Sequence, residues 1–250
     1  MLPVDVALTS AILNDQVLGD CREKLCRDGY FYLETLPDGV DYEAFIEHFG
    51  VICPQYGHKR IWDLKPEPGM DDVYHSNNTQ PLVPHTECYE YPGIPPRYLA
   101  LWCIRPARTQ GGATLLSDGY GLLQELSERE REQLMRQTYR FTSSAGLKRR
   151  GISLTAEHPL LELRADGEPI IRFSSNHIAA DERDPLIGRF RERVNQYFRA
   201  HHVSVKLERN ALLVWDNHRM IHSRTGFADK HRHLRRALLS EADAQWREGG

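Results

Sequence analysis

The sequence predicts a mostly β fold with supporting helices, either a β-sandwich or a double-sheet jelly roll. Short apolar runs of strand length recur along the chain, and turn signals separate them. Only a few segments have the three-and-four apolar spacing of helices. The 250 residues contain no internal repeat and no Gly/Ser/Pro linker long enough to separate two cores. Residues 1–250 are therefore predicted to form one domain.

The first predicted element is a helix, because apolar residues recur at three-and-four spacing and Gly29 follows them closely. Its apolar face consists of Leu8, Ile12, Leu13, Val17, Leu18, Cys21 and Leu25. Residues 29–33 are predicted to form a strand, and residues 42–49 a short helix. Residues 54–84 hold five prolines and two glycines with almost no periodicity, which indicates a long loop. Ordered domains rarely keep such a loop without a function, so this segment is a candidate lid.

The middle of the chain contains the strongest strand signal. Tyr98–Ile104 is an apolar run of seven residues, which predicts a central strand. Ser127 and Glu130 have the spacing of a capping box, which predicts a helix that extends to about Gln137. Residues 160–173 are expected to form a hairpin around the turn dipeptide Asp166-Gly167.

A long helix and three strands are predicted after this hairpin. Asp184 and Pro185 are a typical helix cap and first-turn pair. The apolar face of the helix behind them consists of Leu186, Ile187, Phe190, Val194, Tyr197 and Phe198. Strand-like runs follow at residues 203–207, 211–215 and 234–239.

The composition excludes several classes of function. With 32 basic and 35 acidic residues, the net charge is −3, so the chain lacks the basic field that nucleic-acid binding requires. No apolar stretch approaches 18 residues, and the N-terminus lacks the positive region of a secretory signal. We therefore expect a cytoplasmic protein without a nucleic-acid or membrane partner, and nothing indicates its oligomeric state. Five scattered cysteines without a C-x-x-C pair predict reduced thiols.

Pro84-His-Thr-Glu87 is the most informative local motif. In an extended segment, side chains two positions apart share a face about 6 to 7 Å apart, so His85 and Glu87 can bind one metal while Thr86 points away. One more imidazole would complete the facial triad of non-haem iron oxygenases. Taken alone, a His-x-Glu pair is usually a surface feature or a hydrogen-bonded polar pair.

A second motif, Trp215-Asp-Asn-His-Arg-Met-Ile-His222, supplies two candidate imidazoles. On a helix His218 and His222 could bind one ion, but on a strand they would lie about 13 Å apart, too far for shared coordination. The apolar run before them favours the extended conformation, so only one is expected to be a ligand. We choose His222, which lies further from the strand end and beside Ser223-Arg224.

The third motif is Lys230-His-Arg-His-Leu-Arg-Arg236, which leads into an apolar strand. A run of arginines on an exposed face is usually solvated charge. Strand alternation, however, places Arg232 and Arg236 on one face and Arg235 on the other. An arginine fork inside a barrel binds a carboxylate through two hydrogen bonds. A pocket with both a metal and an inward arginine suits an anionic small molecule.

These motifs resemble the taurine dioxygenase and clavaminate synthase-like family of iron(II)- and 2-oxoglutarate-dependent oxygenases. The likeness spans most of the chain. In order, it consists of His85-Thr-Glu87, Pro95-Pro96, the strand at 98–104, Gly111-Gly-Ala-Thr114, the helix ending near Leu126-Ser127, Trp215-Asp-Asn217, His222 and the cluster from Arg232 to Arg236. The two histidines are 137 residues apart, in keeping with such proteins. The resemblance implies a double-stranded β-helix (jelly roll) core.

The resemblance also implies roles for individual residues. The implied Fe(II) ligands and catalytic residues are His85, Glu87 and His222. Thr114 and Arg232 would bind the distal carboxylate of 2-oxoglutarate. Arg236 would lie near the other carboxylate of this co-substrate or near the substrate. Arg224 and Arg235 are nearby competitors for these roles.

The reaction implied by the resemblance is hydroxylation of an unactivated carbon, with O2 as co-substrate and with succinate and CO2 as products. Glu87 retains the carboxylate that a related halogenating subclass replaces by a small residue. Desaturation, cyclisation or epimerisation at the same site is the alternative. Many members carry aspartate where this chain has glutamate, which points to the clavaminate synthase side. A small amino-acid-like or natural-product substrate of a biosynthetic reaction is therefore expected.

The substrate contacts are predicted from the residues that flank the metal ligands. They are Asn77, Asn78, Cys88 and Tyr89. The alternative, that each is an ordinary loop residue without contact to substrate, is equally compatible with the sequence. Residues 139–157 are a second candidate lid, in which Lys148-Arg-Arg150 could attract an acidic substrate or a carrier protein. A solvated basic turn explains these three residues better. Seven other histidines have no metal-binding spacing and are expected to be structural or exposed: His75, His158, His177, His201, His202, His231 and His233.

Two other classes of protein remain as alternatives. The same three ligands could hold zinc with an activated water, as in a hydrolase, but no general base stands at a defined offset and the arginine cluster would be unexplained. A non-catalytic double-sheet protein that binds a small carboxylate is the second alternative. An intact set of three ligands argues against this non-catalytic alternative.

Overall fold

The described part of the chain contains more strand than helix. The structure is a computed structural model and describes residues 14–56, 58–179 and 184–241. The helices are α1 (Asp15–Asp28), α2 (Tyr42–Ile46), α3 (Gly119–Gln124), α4 (Glu128–Arg136), α5 (Ala145–Arg149) and α6 (Pro185–His201). The strands are β1 (Tyr30–Leu33), β2 (Val51–Cys53), β3 (Trp62–Leu64), β4 (Leu82–His85), β5 (Tyr98–Arg105), β6 (Thr114–Asp118), β7 (Thr138–Thr142), β8 (Thr155–Pro159), β9 (Leu161–Leu163), β10 (Pro169–Ile171), β11 (Ile178–Ala179), β12 (Val203–Val205), β13 (Leu212–Asp216), β14 (Met220–Arg224) and β15 (His233–Ser240).

Two antiparallel sheets form the framework of the fold. The larger sheet has six strands in the order β1-β13-β5-β15-β2, with β3 also paired to β15. The smaller sheet has four strands in the order β12-β6-β14-β4. The pairings in both sheets are antiparallel. This architecture confirms the predicted mostly β fold with a double-stranded β-helix core.

Local capping signals define several helices. The Asn14 side chain accepts a hydrogen bond from the Val17 amide at the start of α1, and Gly29 ends this helix with a φ of 79°. The predicted apolar positions from Val17 onward are buried, whereas Leu8, Ile12 and Leu13 lie outside the described residues. Ser127 and Glu130 form both bonds of the capping box that begins α4.

One prediction of the sequence, the long loop at residues 54–84, needs correction. The segment 54–84 is mostly irregular, but it contains β3 and the first residues of β4. The second predicted lid, 139–157, is built largely from β7, α5 and β8. Strands as short as β3 bury only two side chains, Trp62 and Leu64, and their alternating pattern is too brief to be recognised.

The two sheets divide the apolar core because successive strand residues point to opposite faces. Leu213 and Trp215 of β13 pack between the sheets, whereas Leu212 and Val214 pack on the outer face against α1 and α2. A third cluster covers the smaller sheet with α3, α4 and α6. Within the described residues, no helix is both long enough and apolar enough to cross a membrane.

A glycine pair lets the turn before β6 pack directly on another loop. Gly111 and Gly112 have φ values of 84° and 74°. A Cβ atom at Gly111 would lie 1.9 Å from the carbonyl oxygen of Gly226. A Cβ atom at Gly112 would lie 3.3 Å from Nε of Arg232. The turn can therefore approach the segment that leads to Arg232 only because both side chains are missing.

Gly111→Ala should destabilise the protein more than Gly167→Ala does. Both glycines have positive φ, but a Cβ atom at Gly167 would meet nothing within 4 Å. The left-handed backbone should cost about 1–2 kcal/mol in either variant. At Gly111 the overlap with a backbone oxygen should add about 1–3 kcal/mol. Urea unfolding measures the difference, and equal losses of stability would contradict the described close approach.

Candidate metal centre

The pairing of β4 with β14 places two imidazoles side by side. These strands are antiparallel neighbours, and His85 is directly opposite His222 in their register. The centroids of the two rings are 4.2 Å apart. Paired residues on adjacent strands share a face of the sheet, so both rings project into the space between the two sheets.

Glu87 joins the two imidazoles from the turn that follows β4. Its Oε2 atom lies 4.0 Å from Nε2 of His85 and 3.7 Å from Nε2 of His222. The ligand atoms of all three residues lie within 4.8 Å of one another. Their side chains are between 8% and 14% exposed. Of the two candidate histidines in the motif from Trp215 to His222, His222 is therefore the one that belongs to this group.

His218 lies on the turn between β13 and β14. It is buried, and its Nε2 atom is 2.8 Å from the carbonyl oxygen of Pro95. The chain between Trp215 and His222 is thus two strands with a turn and not one extended segment. The distance argument that separated the two histidines assumed a continuous strand, and that assumption is wrong.

The hydrogen bond of His85 leaves its Nε2 atom free for a metal. Nδ1 of His85 lies 2.8 Å from the carbonyl oxygen of Val83, which requires the proton on Nδ1. Burial, with a contribution from His222, lowers the pKa of His85 to about 3, so the ring is neutral. A neutral imidazole with an unprotonated Nε2 is the form that binds a metal.

Arg236 holds the carboxylate of Glu87 in its ionised form. Nη1 of Arg236 donates to Oε1 of Glu87 at 2.5 Å, and its Nε donates to Gln55 at 2.9 Å. Burial alone would raise the pKa of Glu87, but Arg236 and the two imidazoles lower it to about 2. One carboxylate oxygen is therefore oriented by the arginine, and the other faces the two Nε2 atoms.

Asn217 fixes the backbone of Glu87 across 130 positions of sequence. Its side chain accepts from the Glu87 amide at 2.7 Å and donates to the Glu87 carbonyl oxygen at 3.1 Å. The same amide group donates to the carbonyl oxygen of Pro96 at 3.1 Å. The turn that precedes His222 thus also positions the acidic member of the group.

Arg172 fixes the segment that follows Glu87. This arginine is fully buried and donates to the carbonyl oxygen of Gly93 at 2.7 Å and to Glu162 at 3.2 Å. It also donates to the carbonyl oxygens of Cys88, Tyr89 and Tyr91. Cys88 has a φ of 59°, which is unfavourable for a residue with a side chain. The bonds from Arg172 hold this turn in place.

The three residues line a cavity of about 870 Å³, measured with its open mouth. Thr114 and Arg232 line it too, and both are buried. Arg232 donates to the carbonyl oxygen of Gly112 at 3.2 Å and stacks on Phe227 at 5.0 Å. Arg232 forms no ion pair with any residue of the described ranges.

The other arginines of the motif have different surroundings. Arg224 lines the cavity, but its guanidinium donates to the carbonyl oxygens of Ser76, Asn78 and Gln80. Arg235 lies on the opposite face of β15, half exposed, with its Nε 3.5 Å from Asp63. Of the four arginines considered, Arg232 is the one in the cavity whose charge is not engaged by a carboxylate or by several carbonyl groups.

The predicted substrate residues do not all reach the cavity. Asn77 and Asn78 are buried within the segment 54–84, where Asn77 accepts from Trp62 and donates to Glu67. Cys88 is buried outside the cavity lining, whereas Tyr89 belongs to it. Several other lining residues are not predicted from the sequence as site residues, among them Tyr56, His75 and Glu90. Proximity in sequence to the ligands pointed to Cys88, but a turn directs Glu90 to the cavity instead.

Together the jelly-roll fold and the His-x-Glu…His group define a candidate non-haem metal centre of the facial-triad type. The chain belongs to the family described as taurine catabolism dioxygenase TauD, TfdA family, which matches residues 4–238. This membership confirms the resemblance drawn from the sequence motifs.

Similar proteins include one enzyme and several solved structures. A uridine-5'-phosphate dioxygenase from Amycolatopsis sp is 28% identical over 155 residues, which are 57% of this chain and 54% of that protein. The chain thus matches about half the length of this relative. An asparagine oxygenase, solved with Fe(II), 2S,3S-3-hydroxyasparagine and succinate, is 20% identical with a TM-score of 0.72, over 90% of this chain and 78% of that one. The non-heme iron oxygenase OrfP, solved with Fe and alpha-ketoglutaric acid, is 18% identical with a TM-score of 0.69, over 91% and 81%.

Asn217→Ala should weaken metal binding without removing a ligand. Loss of the two bonds to the Glu87 backbone should lower the affinity for Fe(II) or Co(II) by about ten- to a hundred-fold, as is usual for residues that orient metal ligands. Anaerobic titration with Co(II), followed by its absorption, measures the affinity. Asn195→Ala on α6 serves as the control and should change it less than about twofold. An unchanged affinity in Asn217→Ala would remove the positioning role.

Proposed function

We propose that the protein is an Fe(II)- and 2-oxoglutarate-dependent dioxygenase that hydroxylates an unactivated carbon of a small substrate. The observation that carries this proposal is the meeting of three potential ligands and a buried, unpaired arginine in one cavity. Membership of the TauD, TfdA family supports it. A zinc hydrolase would explain the three ligands but not the arginine. A protein that only binds a carboxylate would explain the arginine but not the three ligands.

In this proposal His85, Glu87 and His222 are the metal ligands and the catalytic residues. Two imidazole nitrogens and one carboxylate oxygen suit a divalent first-row metal such as Fe(II). The three residues would hold the ion, and they line the cavity into which a co-substrate could enter. Arg236 would keep Glu87 ionised and turned toward the ion, and Gln55 would hold Arg236.

Thr114 and Arg232 are proposed to bind the distal carboxylate of 2-oxoglutarate. Burial lowers the pKa of Arg232 to about 10, so its guanidinium remains charged at neutral pH. A buried cation without a carboxylate partner is costly, and a ligand carboxylate would offset that cost. The hydroxyl group of Thr114 can add a hydrogen bond to the same carboxylate.

When bound, iron with 2-oxoglutarate and O2 supplies the oxidation of a substrate C–H bond, coupled to release of succinate and CO2. The residues of this chain bind the co-substrate, orient the target carbon and exclude water. Desaturation, cyclisation or epimerisation would use the same residues. The asparagine oxygenase and OrfP structures support a small amino-acid-like substrate, which we propose here as well.

We further propose that residues 1–250 act as one oxygenase domain in which segments 54–84 and 139–157 cover the cavity. Arg149 donates to Asp72 at 2.6 Å and Arg150 pairs with Glu67, so the two segments are joined. These ion pairs engage two of the three basic residues that could otherwise receive a carrier protein, Arg149 and Arg150. All five cysteines are free, which fits the cytoplasmic location that we expect.

Anaerobic addition of Fe(II) and 2-oxoglutarate should produce the weak visible charge-transfer band of the iron chelate. His85→Ala should abolish the band because one of the three ligands is lost, and iron binding should fall by at least about tenfold. Absorption under argon, with iron quantified in the folded protein, makes the measurement. A folded, iron-loaded wild type without the band would refute the proposed function.

Arg232→Ala should weaken 2-oxoglutarate binding while leaving iron bound. Loss of a charge-assisted hydrogen bond should raise the Kd for 2-oxoglutarate about ten- to a hundred-fold. Arg235→Ala is the matched control, because this neighbour lies on the outer face of the same strand. Titration of the visible band with 2-oxoglutarate compares the two variants. Equal Kd values for 2-oxoglutarate in the two variants would contradict the proposed role of Arg232.

A further inference from the structure

We propose that Glu90 recognises a cationic nitrogen of the substrate, either a protonated amine or a guanidinium. This inference rests on the proposed function and specifies the substrate class of that same cavity. Glu90 is 2% exposed and lines the cavity that also contains the three potential metal ligands. It follows Glu87 by three positions, and it has no part in the proposed binding of iron or 2-oxoglutarate.

The bonding of Glu90 leaves its negative charge without a cation. The hydroxyl group of Tyr56 donates to its Oε1 atom at 2.9 Å. Arg236 contributes a favourable field, but this guanidinium is paired with Glu87 and bound to Gln55. Within residues 14–56, 58–179 and 184–241, Glu90 forms no ion pair.

A buried carboxylate of this kind is costly unless a cation joins it. Burial raises the pKa of Glu90 to about 7, because a buried position disfavours the charged form of the carboxyl group. A ligand cation placed beside Glu90 would stabilise the ionised carboxylate. This ion pair would offset the penalty of burial and contribute to the affinity for the ligand. A hydroxyl or amide group of a ligand would gain much less from the same position.

The walls of the cavity near Glu90 also favour a cation. Five tyrosine and tryptophan side chains line the cavity, and they are Tyr56, Trp62, Tyr74, Tyr89 and Trp215. The ring of Tyr56 stands edge-on to Trp62 at 5.5 Å between centroids and stacks on Tyr91 at 5.6 Å. Aromatic rings attract ammonium and guanidinium groups through their faces, most strongly where water is excluded. His75 also lines the cavity, and it is neutral because burial lowers its pKa to about 4.

A uniformly anionic substrate fits this position poorly. A phosphate group beside Glu90 would bring two negative charges together in a buried site. Such a ligand would have to place its anionic group beside the arginines, away from Glu90. A compound that carries an amine therefore suits the cavity better than a simple nucleotide.

The test uses the full chain, loaded anaerobically with Fe(II) and 2-oxoglutarate, and isothermal titration calorimetry. The probes are the twenty common L-amino acids, agmatine and uridine 5′-phosphate, and each ligand that binds is compared with its N-acetylated form. Variants Glu90→Gln and Glu90→Asp test the charge, and Tyr56→Phe removes the hydrogen bond to Glu90 but keeps the carboxylate. Circular dichroism confirms the folding of each variant.

We expect an amine or guanidinium compound to bind, with acetylation of that group and Glu90→Gln each raising its Kd at least about tenfold. Glu90→Asp should retain part of the affinity. A purely structural role of Glu90 would make Tyr56→Phe as harmful as Glu90→Gln, and this result would overturn the inference.

Three other results would also overturn it. In the first, the acetylated ligand binds as well as the free one. In the second, Glu90→Gln leaves the affinity unchanged. In the third, only uridine 5′-phosphate binds, or none of the probes does. The visible band of the wild type separates the two proposals. If the band is missing, the proposed function fails; if it forms and the cationic probes do not bind, only the role of Glu90 fails.

Discussion

The opposition of His85 and His222 across β4 and β14 is the constraint on which the candidate site depends. A shift of one residue in this register would turn one ring to the other face of the smaller sheet, because side chains alternate along a strand. The register is fixed on the other side as well, where β14 pairs with β6 along five residues. The buried position of β14 between two strands therefore secures the ligand geometry through the backbone, before any metal binds.

The acidic ligand requires a different solution because it lies beyond the strand. Glu87 begins a turn, and the next residue, Cys88, has a left-handed backbone that costs about 1–3 kcal/mol. Asn217 holds the turn at its start, and Arg172 holds the carbonyl groups behind it. Because these two residues come from distant parts of the chain, the site can form only when both sheets and the hairpin β9–β10 are in place.

Much of the fold follows from local signals, and much of the site does not. The helices α1, α4 and α6 have caps next to clear apolar faces, and β5 is apolar on both faces, so the sequence predicts them. Strands such as β2 and β3 have only three residues, which is too short for a pattern. The spacing of the His-x-Glu motif predicts a metal pair. No spacing predicts Glu90, because its partner Tyr56 comes from the candidate lid 54–84 and meets it only in the folded chain.

The distribution of charge in the cavity connects the site with its substrate. Arg232 lies beside Gly112, where the glycine turn lets the chain approach it closely, and its charge is left for an anionic ligand. Glu90 lies beside Tyr56, where its charge is left for a cation. The charge of Glu87 is already balanced by Arg236 and would be shared with a bound metal. Once a keto acid engages Arg232, Glu90 is still an acidic group that no cation of the described residues pairs, so selectivity between substrates would arise from the cation that each one brings to it.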